Sequence, residues 1–134
     1  MNKNFAMNKD CERREQIIFG ESYDSKKYPG GCRNFRGMTV ETLQRLVDEK
    51  FADTEDNQNC APTLGELLEY GKTHKGVTFG GYAIEIARDD YRVSINTIDQ
   101  RFNEDANASI DFSNAFHAAD EFSVTKESGH AWWD

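Results

Sequence analysis

The chain has 134 residues, a net charge of −8 and 37% hydrophobic residues. That suffices for one domain with a modest core, carried by nine Phe, five Tyr and two Trp. It excludes a membrane-spanning helix, because no apolar run approaches the roughly 20 residues a span requires.

The charge is unevenly spread. Residues 1–36 hold eight Lys/Arg against five Asp/Glu, a balance of +3, whereas residues 37–134 hold eight against nineteen, a balance of −11. This predicts a mildly basic, partly irregular leader over 1–36 and a compact acidic domain over 37–134. An acidic body repels nucleic acid and membrane surfaces and attracts basic protein surfaces. The first ten residues, MNKNFAMNKD, lack an apolar segment of the secretory type, so a cytoplasmic setting is expected.

Within the leader, residues 10–16 suit a short helix of low stability, and Ile17, Ile18 and Phe19 suit a short edge strand. Residues 1–16 are expected to pack loosely, since their composition buries too little apolar surface to offset the entropy of ordering. Tyr23, Tyr28 and Phe35, interleaved with Lys26, Lys27, Arg33 and Arg36, form only a weak nucleic-acid signal at this net charge. The run from Phe35 to Met38 leads into the first firm helix. There Thr39 is the N-cap, Glu41 favours the helix dipole, and Val40, Leu43, Leu46, Val47 and Phe51 line one face.

Residues 52–59 form a charged loop holding Asp53, Glu55 and Asp56. Its D-x-E-D pattern lacks the glycine and the oxygen register of a calcium loop. Thr63 opens a second helix and Glu66 completes a capping box. Leu64, Leu67 and Leu68 share its apolar face, and Gly71 is the first candidate stop. A strand follows, in which Val77 and Phe79 share one parity and Tyr82, Ile84 and Ile86 the other. A β-bulge at Gly80-Gly81 would reconcile them on one buried face together with Tyr91, Val93 and Ile95 of the next strand. The same glycines could instead open the backbone to a ligand. Arg88, Asp89 and Asp90 form the turn of this hairpin.

Residues 100–108, with Glu104 and Asp105, read as a loop. Ser109 or Asp111 caps a third helix bearing Phe112, Ala115, Phe116 and Ala119. Phe122 and Val124 mark a short strand, and a turn leads to a terminal strand ending in Trp132 and Trp133, one of which belongs in the core. The fold expected is α+β: about three helices on an antiparallel sheet of about four strands, in the order ααββαββ.

No phosphate-binding glycine loop, dinucleotide fingerprint or nucleophile elbow is present. Cys11, Cys32 and Cys60 are widely spaced and read as free thiols, and no His joins a Cys at zinc spacing. No cofactor or metal is therefore expected. His117, one turn from Asp120 and Glu121, is a candidate general base beside the carboxylate pairs Asp89-Asp90, Asp99 with Glu104, and Asp120-Glu121.

The segment G-Y-A-I-E-I-A-R-D-D-Y-R-V-S-I, residues 81–95, together with F-R-G-M-T-V-E-T-L and the H-A-A-D-E-F…W-W-D ending, resembles small uncharacterised proteins of phages and mobile elements of gut bacteria. The likeness covers residues 35–134 and brings no site residues. It implies a bacterial host cell, where small acidic proteins block defence enzymes such as CRISPR effectors.

The expected function is a non-enzymatic binding protein, in its most specific form an anti-CRISPR-like inhibitor that imitates nucleic acid towards a basic effector nuclease. The expected contacts are Asp53, Glu55, Asp56, Asp89, Asp90, Glu104 and Asp105, with no nucleic acid bound directly. The alternatives are a small enzyme using a carboxylate or His117 on a nucleotide-like substrate, and a structural or regulatory homodimer.

Overall fold

Thr63 accepts a hydrogen bond from the Glu66 amide, and the Glu66 carboxylate accepts from the Thr63 amide, so the capping box is complete in the computed structural model. The structure describes residues 5–134. The helix that this box starts, α3 (Leu64–Thr73), follows α2 (Val40–Asp48), which Thr39 caps through the Thr42 amide. Leu43, Leu46, Leu64, Leu67 and Leu68 are all buried. Gly71 does not end α3, which runs on to a cap at His74. A Cβ at Gly71 would lie 2.8 Å from Val40 Cγ2 and 2.9 Å from Phe79 Cζ, so the glycine lets α3 seat closely on its neighbours.

The remaining elements of the body are β2 (Val77–Ile84), β3 (Val93–Arg101), α4 (Ala106–Phe116), β4 (Glu121–Val124) and β5 (Ser128–Trp132), in the expected order ααββαββ. The architecture is α+β, but the sheet has five strands. The fifth, β1 (Cys32–Thr39), lies where a lead-in to α2 was expected, and the antiparallel order is β1-β2-β3-β5-β4. The boundary expected between 36 and 37 thus falls inside a strand.

The hairpin bulge occurs at the expected place but on other strands. Gly80 pairs with Thr97 and Gly81 with Ile95, so the extra residue is Asn96 of β3. On the other side Phe35 pairs with Gly81 and Met38 with Phe79, which places a second extra residue in β1, where Gly37 has φ +75°. β2 itself keeps one parity throughout. The row Met38, Phe79, Ile98, Ala131 and Phe122 crosses the sheet through paired residues and faces the helices. Ala83 pairs with Val93 on the same side. Tyr91, Val93 and Ile95 are buried as expected, but Tyr82 and Ile84 point to the opposite face. Tyr82 is half-buried there. Ile84 is buried outside the main core, and Ile86 lies beyond the strand, half-buried.

The leader differs most from expectation. Residues 1–4 lie outside the described residues, but α1 (Cys11–Phe19), capped by Asp10, absorbs both the short helix and the proposed Ile17–Phe19 strand. Arg14 and Glu15 on it are 0% exposed. Tyr28 Oη donates to Glu15 Oε2 at 2.6 Å and accepts from Arg14 Nη2 at 3.2 Å, while the Arg14 guanidinium stacks 4.5 Å from the Tyr91 ring centre. Arg33 Nη1 stands 3.6 Å from Glu15 Oε1. Arg13 grips Glu49 with two bonds of 2.9 and 3.0 Å, tying α1 to the end of α2. Tyr23 Oη donates to Glu85 at 2.5 Å; burial, then that bond, push the phenol up to about 12. The leader is part of the packed structure because its ionic groups are paired, which overrides its polar composition.

Candidate functional site

Of the seven carboxylates expected to form the contact surface, only some carry a free charge. Asp53 is 2% exposed and accepts from the Glu55 amide at 3.0 Å. Asp56 is partly buried, and its Oδ2 accepts from Ser94 Oγ at 2.9 Å. Asp90 pairs with Arg88 at 2.8 Å and Arg92 at 3.3 Å. Asp105 is the N-cap of α4, accepting from the amides of Asn107 and Ala108, a role expected for Ser109 or Asp111. Glu55, Asp89 and Glu104 are exposed and make no ion pair among the described residues.

Two of the three loops converge. Arg92 Nη1 bonds Asp90, Arg92 Nε bonds Ser94 Oγ, and Ser94 in turn bonds Asp56, so the 52–59 loop and the 85–92 turn meet at one end of β3. Gln58 Oε1 accepts from Tyr82 Oη at 3.1 Å, and the Asn59 amide donates to the Asp134 carbonyl. The loop thus lies against Tyr82 and Ser94, beyond the end of β5, whose last paired residue is Trp132 opposite Thr97. Glu104 and Asp105 lie past the other end of β3, whose nine residues span about 30 Å. The seven carboxylates therefore cannot line one row.

Burial raises the Asp56 pKa, against the lowering effects of the Ser94 hydrogen bond and of Arg92. A carboxyl raised by folding stabilises the fold below its ordinary value of about 4, and that contribution is lost as pH rises through the folded value. Asp56→Asn keeps an acceptor for Ser94 without the buried charge. The variant is expected to melt higher than the wild type at pH 7 and equally below pH ~4; a variant that melts lower at pH 7 contradicts this assignment.

The sequence offers no sign of a site on the helix-free face of the sheet. That face holds a cleft of about 550 Å³ lined by residues of all five strands, among them Asn34, Arg36, Thr97, Glu121, His130 and Trp132. Gly81 also lines it, at the register shift between β2 and β3. His130 stands between two carboxylates, with Nδ1 2.7 Å from Asp99 Oδ1 and Nε2 3.2 Å from Glu121 Oε1. At that distance Nδ1 is the donor to Asp99. Arg36 Nη2, 3.2 Å from the same nitrogen, is therefore a second donor in close approach and not a bonding partner. Arg36 bonds Asp99 instead, through Nε at 3.3 Å and Nη2 at 3.2 Å. A ring with one N–H serves one of the two carboxylates, and a ring with two serves both.

His117 lies elsewhere. It is exposed at the end of α4 and directs Nδ1 at the Ser113 carbonyl 3.0 Å away, while Asp120 accepts from the Asp134 amide and Glu121 faces His130. Of the terminal pair, Trp133 is buried against Phe116 and Trp132 is half-buried at the cleft. Among the described residues no group of three or more His, Cys, Asp and Glu side chains is placed to hold a metal ion, and no helix is long and apolar enough to cross a membrane. Cys11, Cys32 and Cys60 are free thiols.

The geometry defines a single-sheet α+β domain with helices on one face and an open, mixed-charge cleft on the other. Comparison with protein-family models, curated proteins and solved structures gives no match.

Proposed function

We propose that this is a non-enzymatic binding protein that docks a basic protein surface on the helix-free face of its sheet. The observation that carries this reading is the cleft on the helix-free face, which presents Trp132, Arg36 and amide side chains in a chain of net charge −8. Protein interfaces are enriched in Trp, Tyr and Arg, and complementary charge speeds encounter. In its sharpest form, prompted by the likeness to mobile-element proteins, the partner is a nucleic-acid-binding nuclease of a bacterial defence system.

The test is to mix the protein with a CRISPR nuclease and follow complex formation and loss of DNA binding across a salt series. Association should be fast at low salt and slow markedly towards 1 M, where the Debye length falls to about 3 Å. Complex formation that ignores salt removes the electrostatic reading.

A second reading is favoured by the placement of His130 between Asp99 and Glu121. An enzyme acting on a nucleotide-like substrate would use this histidine, in an open cleft, in preference to the isolated His117. Nucleotide turnover lost in His130→Asn and kept in His117→Asn would establish it.

A further inference from the structure

The carboxylates of the helix-free face differ in how far they are matched. Asp99 receives both Arg36 and His130, so the guanidinium of the cleft is charge-matched although its side chain is 67% exposed. Glu121 has only the imidazole edge at 3.2 Å and remains largely open, its side chain 66% exposed. It pairs across the ladder with Trp132, which pairs in turn with Thr97, so carboxylate, indole and hydroxyl stand in one row on one face. The row runs on into Gly80, which pairs with Thr97 and adds no side chain to that face.

From this arrangement we infer that the cleft is a receptor for a single arginine side chain of the partner, with Glu121 as its counter-charge and Trp132 as its stacking surface. The inference rests on the binding reading above and names the contact that reading leaves open. A guanidinium suits the site better than an ammonium. It is planar, it stacks on an aromatic face, and its fork of donors can meet a carboxylate and a neighbouring amide or hydroxyl oxygen together. Asn34, Asn96 and Thr97 supply such oxygens around the cleft. The chain already pairs a guanidinium with a carboxylate on this face, through Arg36 and Asp99. A negatively charged ligand would meet Glu121 and Asp99, with Arg36 already shared with Asp99.

The probes are blocked Gly-Arg-Gly, Gly-Lys-Gly and Gly-Glu-Gly peptides, titrated into the full chain while the Trp132 indole N–H is followed by NMR. Trp132→Phe assigns that signal. The expected result is a saturable shift with the arginine peptide, a weaker one with lysine and none with glutamate. Glu121→Gln should weaken arginine binding by about tenfold, the scale of one hydrogen-bonded charge, while Glu104→Gln beyond the far end of β3 should leave it unchanged. No movement of the Trp132 signal, equal responses to arginine and glutamate, or an unaffected Glu121→Gln variant would overturn the inference. A nuclease complex that still forms in that case leaves the binding reading standing without this contact. If arginine binds the cleft and no nuclease complex forms, the choice of partner is at fault.

Discussion

Deletion of residues 1–16 is expected to abolish the cooperative thermal unfolding of the protein. The deletion removes Arg14 and Glu15, both 0% exposed, together with Asp10, which caps α1. It leaves Tyr28 and Arg33 facing a void where Glu15 stood 2.6 and 3.6 Å away, and it breaks the two bonds from Arg13 to Glu49. Removing one partner of a buried ion pair typically costs about 3–5 kcal/mol, because the other charge stays buried and unmatched. A domain of this size has only about 5–15 kcal/mol in total. The point variant Glu15→Ala should therefore lower stability by about 3–5 kcal/mol while leaving the transition cooperative. Circular dichroism melts of both variants decide the matter. A truncated protein that melts as sharply as the full chain, at the same temperature, would show that α1 is an appendage.

Gly81→Ala is the second variant with a large effect, and its near neighbour Gly80→Ala is the control. A Cβ at Gly81 would overlap the Ser94 carbonyl oxygen and approach Ile95 Cα at 3.0 Å, so the ladder between β2 and β3 must open to accept it. A Cβ at Gly80 would approach Thr97 Cβ at 3.1 Å and the Phe35 carbonyl oxygen at 3.3 Å, tight contacts that small shifts of a few tenths of an ångström relieve. Overpacking usually costs about 1–3 kcal/mol. Gly81→Ala should reach or exceed the top of that range, and Gly80→Ala should stay near the bottom. Urea denaturation midpoints of the two variants measure the difference. Equal midpoints would mean that Gly81 is not held against Ser94.

The parts of this fold that advertise themselves in the chain are those with apolar faces and caps. The leucines of α2 and α3, the Thr63–Glu66 box and the alternation from Tyr91 to Ile95 were all legible, and with them the order ααββαββ. Helix α1 was legible only as a short, weak helix over residues 10–16, because its inward side is partly ionic. Residues 11, 14, 15 and 18 recur at helical spacing, yet they are Cys, Arg, Glu and Ile, and hydrophobic periodicity does not register a charge that is buried by pairing. Strand β1 escaped for a related reason: it is an edge strand, and Arg33 covers the Phe19 ring at 3.5 Å with a guanidinium. The parity switch from Phe79 to Tyr82 was real, but it marks a second covered region on the opposite face, where Gln58 meets Tyr82 and Asp56 meets Ser94. Alternation reports the core face only where the other face is solvated.

The candidate site divides in the same way. Loop carboxylates are visible as charge, but their partners are not: Asp90 belongs to Arg88 and Arg92, and Asp105 to the α4 amides. An Asp directly before a run of helix formers is a capping signal that could have identified Asp105. The cleft on the helix-free face draws its lining from Asn34 to Trp132, one to three residues per strand, and only the strand order and register bring them together.

The most direct measurement is the affinity of the nuclease complex for two variants at different places along β3, Trp132 opposite its middle residue Thr97 and Glu104 three residues past its end. Trp132→Leu alters the helix-free cleft, and Glu104→Lys reverses an unpaired charge beyond the far end of the strand. With melting temperatures matched to the wild type, Trp132→Leu should weaken the complex by more than about tenfold, as loss of an interface anchor does, and Glu104→Lys by less than about threefold. Wild-type affinity in Trp132→Leu, with the complex lost in Glu104→Lys, would contradict docking on the helix-free face and return the contact to the acidic loops.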